Sequence, residues 1–268
     1  MTEYDIYQAD AFADEVFKGN PAAVVPLQEW LPDETLQAIA IENNLSETAY
    51  VIDRGQGKYD LRWFTPGAEV DLCGHATLAT AHILCTELGA TASTLKFATR
   101  SGELVVSRDG QVFMMDFPAY LNRQEATDQI DLIEQAIGVW PLEVWSDAFL
   151  LAILPDAGTV RELQPDIFRI EQLRHHAHDG CLLVTAPGDD GFDFVSRFFA
   201  PGVGILEDPV TGSAHCMTAP YWAEKLGMSD LSAFQASPRG GKVQCLVKGD
   251  RVILRGQAVT YLRGRISF

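Results

Sequence analysis

Short apolar runs, some alternating with polar residues and some continuous, recur along the chain between clusters of Gly, Pro, Asn and Asp. Runs of this length bounded by turn-forming residues are typical of β-strands. In the first half they are YDIYQADAF (4–12), AAVVPL (22–27), ETAYVI (47–52), YDLRWFT (59–65), LKFAT (95–99), ELVVSR (103–108) and QVFMMDF (111–117). In the second half they are AFLLAIL (148–154), GCLLVTA (180–186), FDFVSRFF (192–199), VQCLVK (243–248), DRVILRG (250–256) and YLRGRISF (261–268).

Helical periodicity is rarer. Leu36, Ile39 and Ala40 share one face at the i, i+3, i+4 spacing, which predicts a helix over 32–44. Two other segments, 74–89 and 212–227, are rich in Ala, Leu and small residues nearly all round, which predicts buried helices.

The ends of these two segments carry further signals. Gly89 and Gly227 are placed to act as C′ glycines, the residues that commonly terminate helices. Pro220 predicts a kink or an early break, because a proline inside a helix costs about 3 kcal/mol.

The two buried helices begin with related sequences, which indicates an internal duplication. Positions 138 residues apart match around the helix starts: Gly74 with Gly212, Glu69 with Glu207, His75 with Ser213, Ala76 with Ala214 and Thr80 with Thr218. Upstream, RWFTPG (62–67) resembles RFFAPG (197–202). We therefore expect two similar lobes, 1–118 and 119–257, each a curved sheet around one helix, with the last strand, about 258–268, able to return to the first lobe.

The composition narrows the class of protein. The 268 residues carry a formal net charge of −17, with 47% hydrophobic and 21% charged residues. Such a charge repels polyanions, so nucleic acid and anionic membranes are not expected partners. No secretory signal begins the chain and no apolar run could span a bilayer. Five scattered cysteines indicate reduced thiols in a cytoplasmic protein, and their spacing matches no zinc site, so no metal is expected.

The two helix starts are candidate anion sites, because free N–H groups and the helix dipole favour negative charge there. Gly74 and Gly212 would let a ligand approach the backbone closely. His75, just inside the first helix, is expected to be neutral, since the dipole disfavours its protonated form. Ser213 could hold a substrate oxygen, and Asp208 opens an Asp-Pro turn before the second helix.

Two further side chains are candidates for proton transfer. Glu47 shares a strand face with Ala49 and Val51, so partial desolvation is expected to raise its pKa toward the value that a general acid/base needs. An exposed strand-edge carboxylate is the alternative. Cys73 precedes Gly74, where a helix start can activate a thiol, but packing is the preferred interpretation.

Two other motifs resemble functional sites. The histidine cluster RHHAHD (174–179), which contains His175 and His178, has no standard zinc spacing and is interpreted as a solvated loop. SPRGGK (237–242) lacks the frame of a phosphate-binding loop and is interpreted as a hairpin turn.

Four motifs together resemble the PhzF-like, or phenazine-biosynthesis-like, family over essentially the whole chain. They are DAFADEVFKGNPAAV (10–24), NNLSETAYV (43–51), LRWFTPGAEVDLCGHATLATAH (61–82) and EDPVTGSAHC (207–216). The resemblance implies the α+β diaminopimelate epimerase fold, with two pseudo-symmetric lobes and an active site between them. It also implies a homodimer.

The resemblance implies roles for matching residues. Glu47 of the SET motif would shuttle a proton between carbons of a small acidic or cyclic amino-acid-like substrate without a cofactor. The substrate-binding residues would be Gly74, His75, Asp208, Gly212 and Ser213. Asn20 and Ser46 of the same motifs are further candidates, as is Cys73.

Three functions stay open at this point. The first is a cofactor-independent isomerase that uses Glu47. The second is an amino-acid racemase or epimerase that uses Cys73, which the absence of a second-lobe cysteine at the matching position, Thr211, disfavours. The third is a non-catalytic small-molecule binding protein.

Overall fold

The computed structural model describes residues 2–268, and its contacts divide the chain into two units. Unit 1 extends to Asp116 and resumes at Arg255, whereas unit 2 comprises Phe117–Leu254. Each unit combines a mixed sheet with one long buried helix and shorter helices, as the sequence predicted for an α+β protein.

Unit 1 holds most of the strands of the first half and the C-terminal strand. Its strands are β1 (Glu3–Ala11), β2 (Asn20–Leu27), β3 (Glu47–Gly55), β4 (Lys58–Phe64), β5 (Glu69–Val70), β6 (Thr94–Thr99), β7 (Gly102–Asp109), β8 (Val112–Pro118, which runs across the division) and β18 (Ala258–Ser267). Its helices are α1 (Asp33–Asn43) and α2 (Gly74–Thr86). The C-terminal strand β18 pairs antiparallel with β1.

Unit 2 contains the remaining elements. Its strands are β9 (Gln124–Glu125), β10 (Glu143–Ser146), β11 (Leu150–Ile153), β12 (Leu182–Pro187), β13 (Phe194–Ala200), β14 (Ile205–Asp208), β15 (Asp230–Gln235), β16 (Gly241–Lys248) and β17 (Arg251–Gly256, which runs across the division). Its helices are α3 (Ile130–Ile137), α4 (Ala157–Glu162), α5 (Ile167–Glu171) and α6 (Gly212–Leu226), with single 3₁₀ turns at Thr127–Gln129 and Pro201–Val203.

The two units repeat one pairing scheme. In unit 1, β1 is antiparallel to β2, β2 parallel to β3, β3 antiparallel to β4, β4 parallel to β6, and β6 antiparallel to β7. In unit 2, β10 through β13, β15 and β16 follow the same order and the same directions. The duplication inferred from the 138-residue offset is therefore present in the strand pairing as well as in the sequence.

The same ion pair braces the loop before each buried helix. Arg62 donates two hydrogen bonds to Glu69, at 2.7 and 2.8 Å, where β5 folds back on β4. Arg197 donates two to Glu207, at 2.7 and 2.9 Å, where β14 folds back on β13. Bidentate arginine–carboxylate pairs fix geometry as well as charge, so each unit holds its helix start in the same way.

The sheet of unit 1 is buried on both faces near its centre. On one face, α1 contributes Leu36, Ile39 and Ala40 to a cluster that includes Tyr50, and Tyr50 Oη donates to the carbonyl of Leu36 at 2.6 Å. By the alternation of side chains along a strand, Glu47 at the start of β3 lies on the opposite face from Tyr50. This burial explains why β3 is apolar without interruption from Ala49 to Ile52.

Helix α6 continues through Pro220 to Leu226, so the expected early break is wrong. Pro220 has no N–H to donate to the carbonyl of Cys216, and this carbonyl instead accepts a hydrogen bond from the backbone N–H of Tyr120 at 3.0 Å. A partner from another segment thus offsets the missing helical bond. Gly227 has φ 68° and caps the helix, as predicted.

The end of α2 differs from its prediction. The helix stops at Thr86, and its C-cap Glu87 keeps right-handed helical angles, whereas Gly89, with φ +74°, lies beyond the cap. The backbone N–H of Leu88 still bonds to the carbonyl of Ile83 at 3.1 Å. Gly89 therefore turns the chain after the helix instead of ending it.

None of the helices among residues 2–268 is both long and apolar enough to cross a membrane.

One position in the buried helices breaks the symmetry between the units. In α2, Thr77 Oγ1 donates to the carbonyl of Cys73, and at the matching place in α6 His215 Nδ1 donates to the carbonyl of Thr211 at 2.8 Å. The other ring nitrogen, His215 Nε2, is buried with no hydrogen-bond partner in residues 2–268. Burial lowers the His215 pKa to about 4, so the ring is neutral in the folded protein.

We therefore expect His215 to make the stability of the protein depend on pH. Between about pH 6.5 and pH 4, His215 is protonated in the unfolded chain but stays neutral in the folded protein, so stability falls as the pH falls. Between pH 7 and pH 5 the free energy of unfolding of the wild type should fall by about 2 kcal/mol more than that of His215→Thr. The threonine hydroxyl can still donate to the Thr211 carbonyl, as Thr77 donates to the Cys73 carbonyl. Urea denaturation at both pH values measures this. The control is His176→Thr at an exposed site, and equal losses in wild type and His215→Thr would contradict the expectation.

Candidate active site

The start of helix α2 carries the first group of predicted site residues. Its N-cap, Cys73, is extended and gives no side-chain hydrogen bond to the helix, and the first turn contains no acidic residue. The first helical residues are Gly74 and His75. The positive end of the helix dipole is therefore not capped by a side chain of its own helix.

Glu47 lies beside this helix start. The carboxylate oxygen Oε2 is 2.8 Å from His75 Nε2, and both residues are buried, with 8% and 5% of their surface exposed. Although the two atoms are close, no hydrogen bond of good angle reaches Oε2 from residues 2–268, so the contact is best described as an ion pair. The alternative of a solvated strand-edge carboxylate at position 47 is wrong, because this side chain is buried.

Asn20 and Ser46 form a chain of hydrogen bonds that reaches the other ring nitrogen of His75. Ser46 Oγ donates to Asn20 Oδ1 at 3.2 Å, and Asn20 Nδ2 lies 3.2 Å from His75 Nδ1. In this arrangement Nδ1 accepts and Nε2 carries the proton toward Glu47. A half-turn of the Asn20 amide would let Nδ1 donate instead, so the amide accommodates either protonation state.

The charge state of His75 differs from the expectation that it is neutral. Burial works against the protonated ring, but the Glu47 carboxylate, 2.8 Å from Nε2, outweighs burial and holds the His75 pKa well above its ordinary value. The helix dipole disfavours the protonated ring, but the carboxylate 2.8 Å away has the larger effect. The sequence could not have shown this contact, because residues 47 and 75 lie on different elements.

Cys73 is buried next to the imidazole, with Sγ 3.6 Å from His75 Nδ1. Burial, and after it the nearby charge of Glu47, raise the pKa of the Cys73 thiol. The thiol is therefore protonated at neutral pH, which agrees with the packing interpretation more than with an activated nucleophile. All five cysteines are free thiols, as expected.

The second group of predicted residues belongs to unit 2. Asp208 ends β14 and is buried, and its Oδ2 accepts a hydrogen bond from Thr211 Oγ1. The N-cap of α6, Thr211, is extended and gives no side-chain hydrogen bond to its helix, like Cys73 in unit 1. Gly212 and the half-buried Ser213 are the first helical residues. The two helix starts are thus equivalent in backbone form and different in side-chain chemistry.

A buried glutamine that sequence reasoning missed organises this turn. Gln235 Oε1 accepts from the Thr211 backbone N–H at 2.8 Å, and its Nε2 donates to the Asp208 carbonyl at 2.8 Å and to Thr211 Oγ1 at 3.1 Å. Because Nε2 occupies one lone pair of Thr211 Oγ1, the hydroxyl proton is directed to the Asp208 carboxylate. No local motif marks Gln235, because it reaches the turn from β15.

The two remaining motifs are structural. The backbone N–H groups of Ala177 and His178 donate to His175 Nδ1 at 3.2 and 3.3 Å, so the loop 174–179 is closed by its own hydrogen bonds and is largely exposed. SPRGGK connects the antiparallel strands β15 and β16 as a hairpin, as predicted. Ser237 Oγ of this hairpin donates to the Pro209 carbonyl at 2.8 Å, which ties it to the turn after Asp208.

We expect Gln235→Leu to destabilise the protein by about 2–4 kcal/mol, because it leaves the buried Thr211 N–H without its acceptor and removes the hydrogen bond that Gln235 donates to the Asp208 carbonyl. Urea denaturation measures the loss. Gln37→Leu is the matched control, since Gln37 also bonds two backbone carbonyls but is only half-buried, and it should cost less. Equal effects of the two substitutions would show that Gln235 does not organise the turn.

Comparison with known proteins agrees with this fold and these motifs. The sequence profile described as phenazine biosynthesis-like protein matches residues 9–264. An uncharacterised isomerase of Pseudomonas aeruginosa is 51% identical over 264 residues, which are 98% of this chain and 99% of that protein. A crystal structure of a PhzF-family phenazine biosynthesis protein from Enterococcus faecalis covers 100% of both chains at 45% identity, with a TM-score of 0.94.

More distant structures share the fold alone. A hydroxyproline epimerase from Agrobacterium vitis superimposes with a TM-score of 0.61 at 10% identity, covering 99% of this chain and 91% of that one. At this identity the likeness carries no residue role. The family-wide relationship supports an isomerase-type function, and the chain belongs to the PhzF-like, or phenazine biosynthesis-like, family.

Proposed function

We propose that the protein is a cofactor-independent isomerase that moves a proton on a small carboxylate-bearing substrate, with Glu47 as the general acid/base. The observation that carries the proposal is the buried Glu47 carboxylate, 2.8 Å from His75 at the start of α2. A carboxylate in this environment is only weakly hydrated, and general acid/base catalysis by such a group typically contributes about 10²–10⁴-fold in rate.

The reaction needs no external electron carrier. Glu47 would take a proton from one carbon of the substrate while the electron pair of that C–H bond shifts into the adjacent π system. The same carboxyl group would then return the proton to a second carbon, so that one C–H bond breaks, one forms and a double bond moves. His75 would hold the Glu47 oxygen in place through the 2.8 Å contact.

Substrate binding would use the two equivalent helix starts. In unit 1 the proposed binding groups are the backbone at Gly74 and the side chain of His75; in unit 2 they are Asp208, Gly212 and Ser213. Uncapped helix N-termini support binding of a carboxylate, against the repulsion of a net charge of −17. Small acidic or cyclic amino-acid-like compounds fit this chemistry. The free thiols support a cytoplasmic location, and the resemblance to the family supports a homodimer.

We expect Glu47→Gln to abolish proton exchange, with a rate loss of about 10²-fold or more, because the amide cannot accept the substrate proton. The measurement is deuterium incorporation from D₂O, followed by mass spectrometry, into a panel of small cyclic amino acids and keto acids. Glu103→Gln removes an exposed carboxylate and is the control. Undiminished exchange by folded Glu47→Gln would refute the assignment.

We expect Cys73→Ser to keep an exchange rate close to that of the wild type, because the thiol is buried, protonated and not needed as an acid/base. The same deuterium assay measures this rate. A racemase or epimerase that relied on the Cys73 thiol would instead lose nearly all activity on this change. The Cys73→Ser variant therefore separates the two catalytic hypotheses.

A non-catalytic binding protein makes a third, distinct prediction. It would bind compounds from the panel, detected by ligand-induced thermal stabilisation, without exchange into any of them at any pH. Binding together with exchange excludes it.

A further inference from the structure

Three side chains with different donor atoms converge within unit 1. The ligand atoms of Glu47, Cys73 and His75 all lie within 4.8 Å of one another, and all three residues are buried. In residues 2–268 this is the only such group of three that could hold a metal ion. No spacing in the sequence indicates this group, because Glu47 starts β3 whereas Cys73 and His75 lie at the start of α2.

The donor set suits a thiophilic divalent cation. Carboxylate oxygen, imidazole nitrogen and thiolate sulfur are the three ligand types that bind Zn²⁺, at about 2.0–2.3 Å, and a tetrahedral site places neighbouring ligands roughly 3.3–3.8 Å apart. The observed separations fall on either side of this range, with Glu47 Oε2 2.8 Å and Cys73 Sγ 4.0 Å from His75 Nε2. Shifts of less than about 1 Å at the side-chain ends would therefore bring all three to bonding distance.

A second observation points to an unmet ligand. Glu47 Oε2 is buried and accepts no hydrogen bond in the described part of the chain, although a buried carboxylate oxygen ordinarily has a partner. A bound cation would satisfy this oxygen directly. The contact with His75 supplies charge but not a well-aimed donor.

The surrounding side chains would also support a metal ligand. Asn20 lies 3.2 Å from His75 Nδ1 and is itself held by Ser46, which orients the ring and leaves Nε2 facing Glu47 and Cys73. After a half-turn of the Asn20 amide, Oδ1 would accept a hydrogen bond from His75 Nδ1–H, as the partners of metal-bound histidines do. Loss of such a partner typically costs 10–100-fold in affinity.

We infer that Glu47, Cys73 and His75 form a binding site for one thiophilic divalent cation such as Zn²⁺, and that the bound cation inhibits the isomerase. Binding replaces the thiol proton of Cys73 and any proton on His75 Nε2, and these protons are released to solvent. A fourth position stays open for water or a substrate carboxylate. Inhibition rests on the proposed function, because the cation would occupy Glu47 Oε2 and make the carboxylate a weaker base; binding does not rest on it.

Cobalt titration of the metal-stripped protein tests the binding. With Co²⁺ as the probe, we expect one equivalent to produce a near-ultraviolet thiolate-to-cobalt charge-transfer band that one equivalent of Zn²⁺ removes. Cys73→Ser should lose the band, whereas Cys85→Ser, at the half-buried cysteine, should keep it. Asn20→Ala should keep the band and weaken cobalt binding about tenfold or more.

Several results would overturn the inference. One is the absence of a charge-transfer band in the wild type at excess Co²⁺. Another is a band of undiminished intensity in Cys73→Ser. If Cys73→Ser does not fold, as judged by near-ultraviolet circular dichroism, Glu47→Gln takes its place and should weaken cobalt binding by at least about tenfold.

The inhibitory part has its own readout. One equivalent of Zn²⁺ should abolish deuterium exchange in the wild type and leave Cys73→Ser uninhibited. A cobalt band without inhibition would leave the metal site standing and contradict the role of Glu47 in catalysis. Exchange activity without a cobalt band would leave the isomerase standing and remove the metal site.

Discussion

A carboxylate and an imidazole buried side by side at the start of an apolar helix are the constraint on which this account rests. Removing two ionisable groups from water costs several kcal/mol each unless they neutralise one another. In unit 1 the 2.8 Å contact between Glu47 and His75 supplies that compensation, and Asn20 orients the ring from the other side. The raised pKa of His75 and part of the raised pKa of the Cys73 thiol follow from the Glu47 carboxylate in this pair.

The duplication shows which features belong to the scaffold and which to the chemistry. Both units keep the strand order, the bidentate arginine–glutamate pair, the uncapped glycine-led helix and its burial. They differ at the helix start itself, where Cys73 and His75 correspond to Thr211 and Ser213. The same scaffold, present in both units, thus holds different polar side chains at its two helix starts. One fold can support different reactions when the side chains of the site change and the scaffold does not.

Much of this could be predicted from the sequence because its causes are local. Alternation and turn residues predicted most of the long strands, the composition of 74–89 and 212–227 predicted the buried helices α2 and α6, and the 138-residue offset predicted that their surroundings are related. Short elements such as α4 and α5 were missed: each is stabilised mainly by one aspartate cap, Asp156 or Asp166, and by packing, which leaves no periodic pattern. The sequence could not decide between a kink and an early break at Pro220, because the compensating N–H of Tyr120 is distant in sequence.

The sequence predicted which residues form the candidate site, but not their protonation states or their hydrogen-bond partners. Motifs singled out Glu47, His75 and Asp208, but the protonation of His75 and the role of Gln235 depend on contacts between elements. Such contacts are long-range in the chain, and no spacing rule encodes them. The same reason hides the convergence of Glu47, Cys73 and His75 from any search for a metal-binding motif.

A double-mutant cycle between positions 47 and 75 tests the central claim most directly. Glu47→Gln, His75→Asn and the double variant would be compared with the wild type by urea denaturation at pH 7. If the two groups stabilise one another, each single change leaves a buried partner without compensation. The double variant should then lose at least about 1 kcal/mol less free energy of unfolding than the sum of the two single losses. Additive losses would contradict the account.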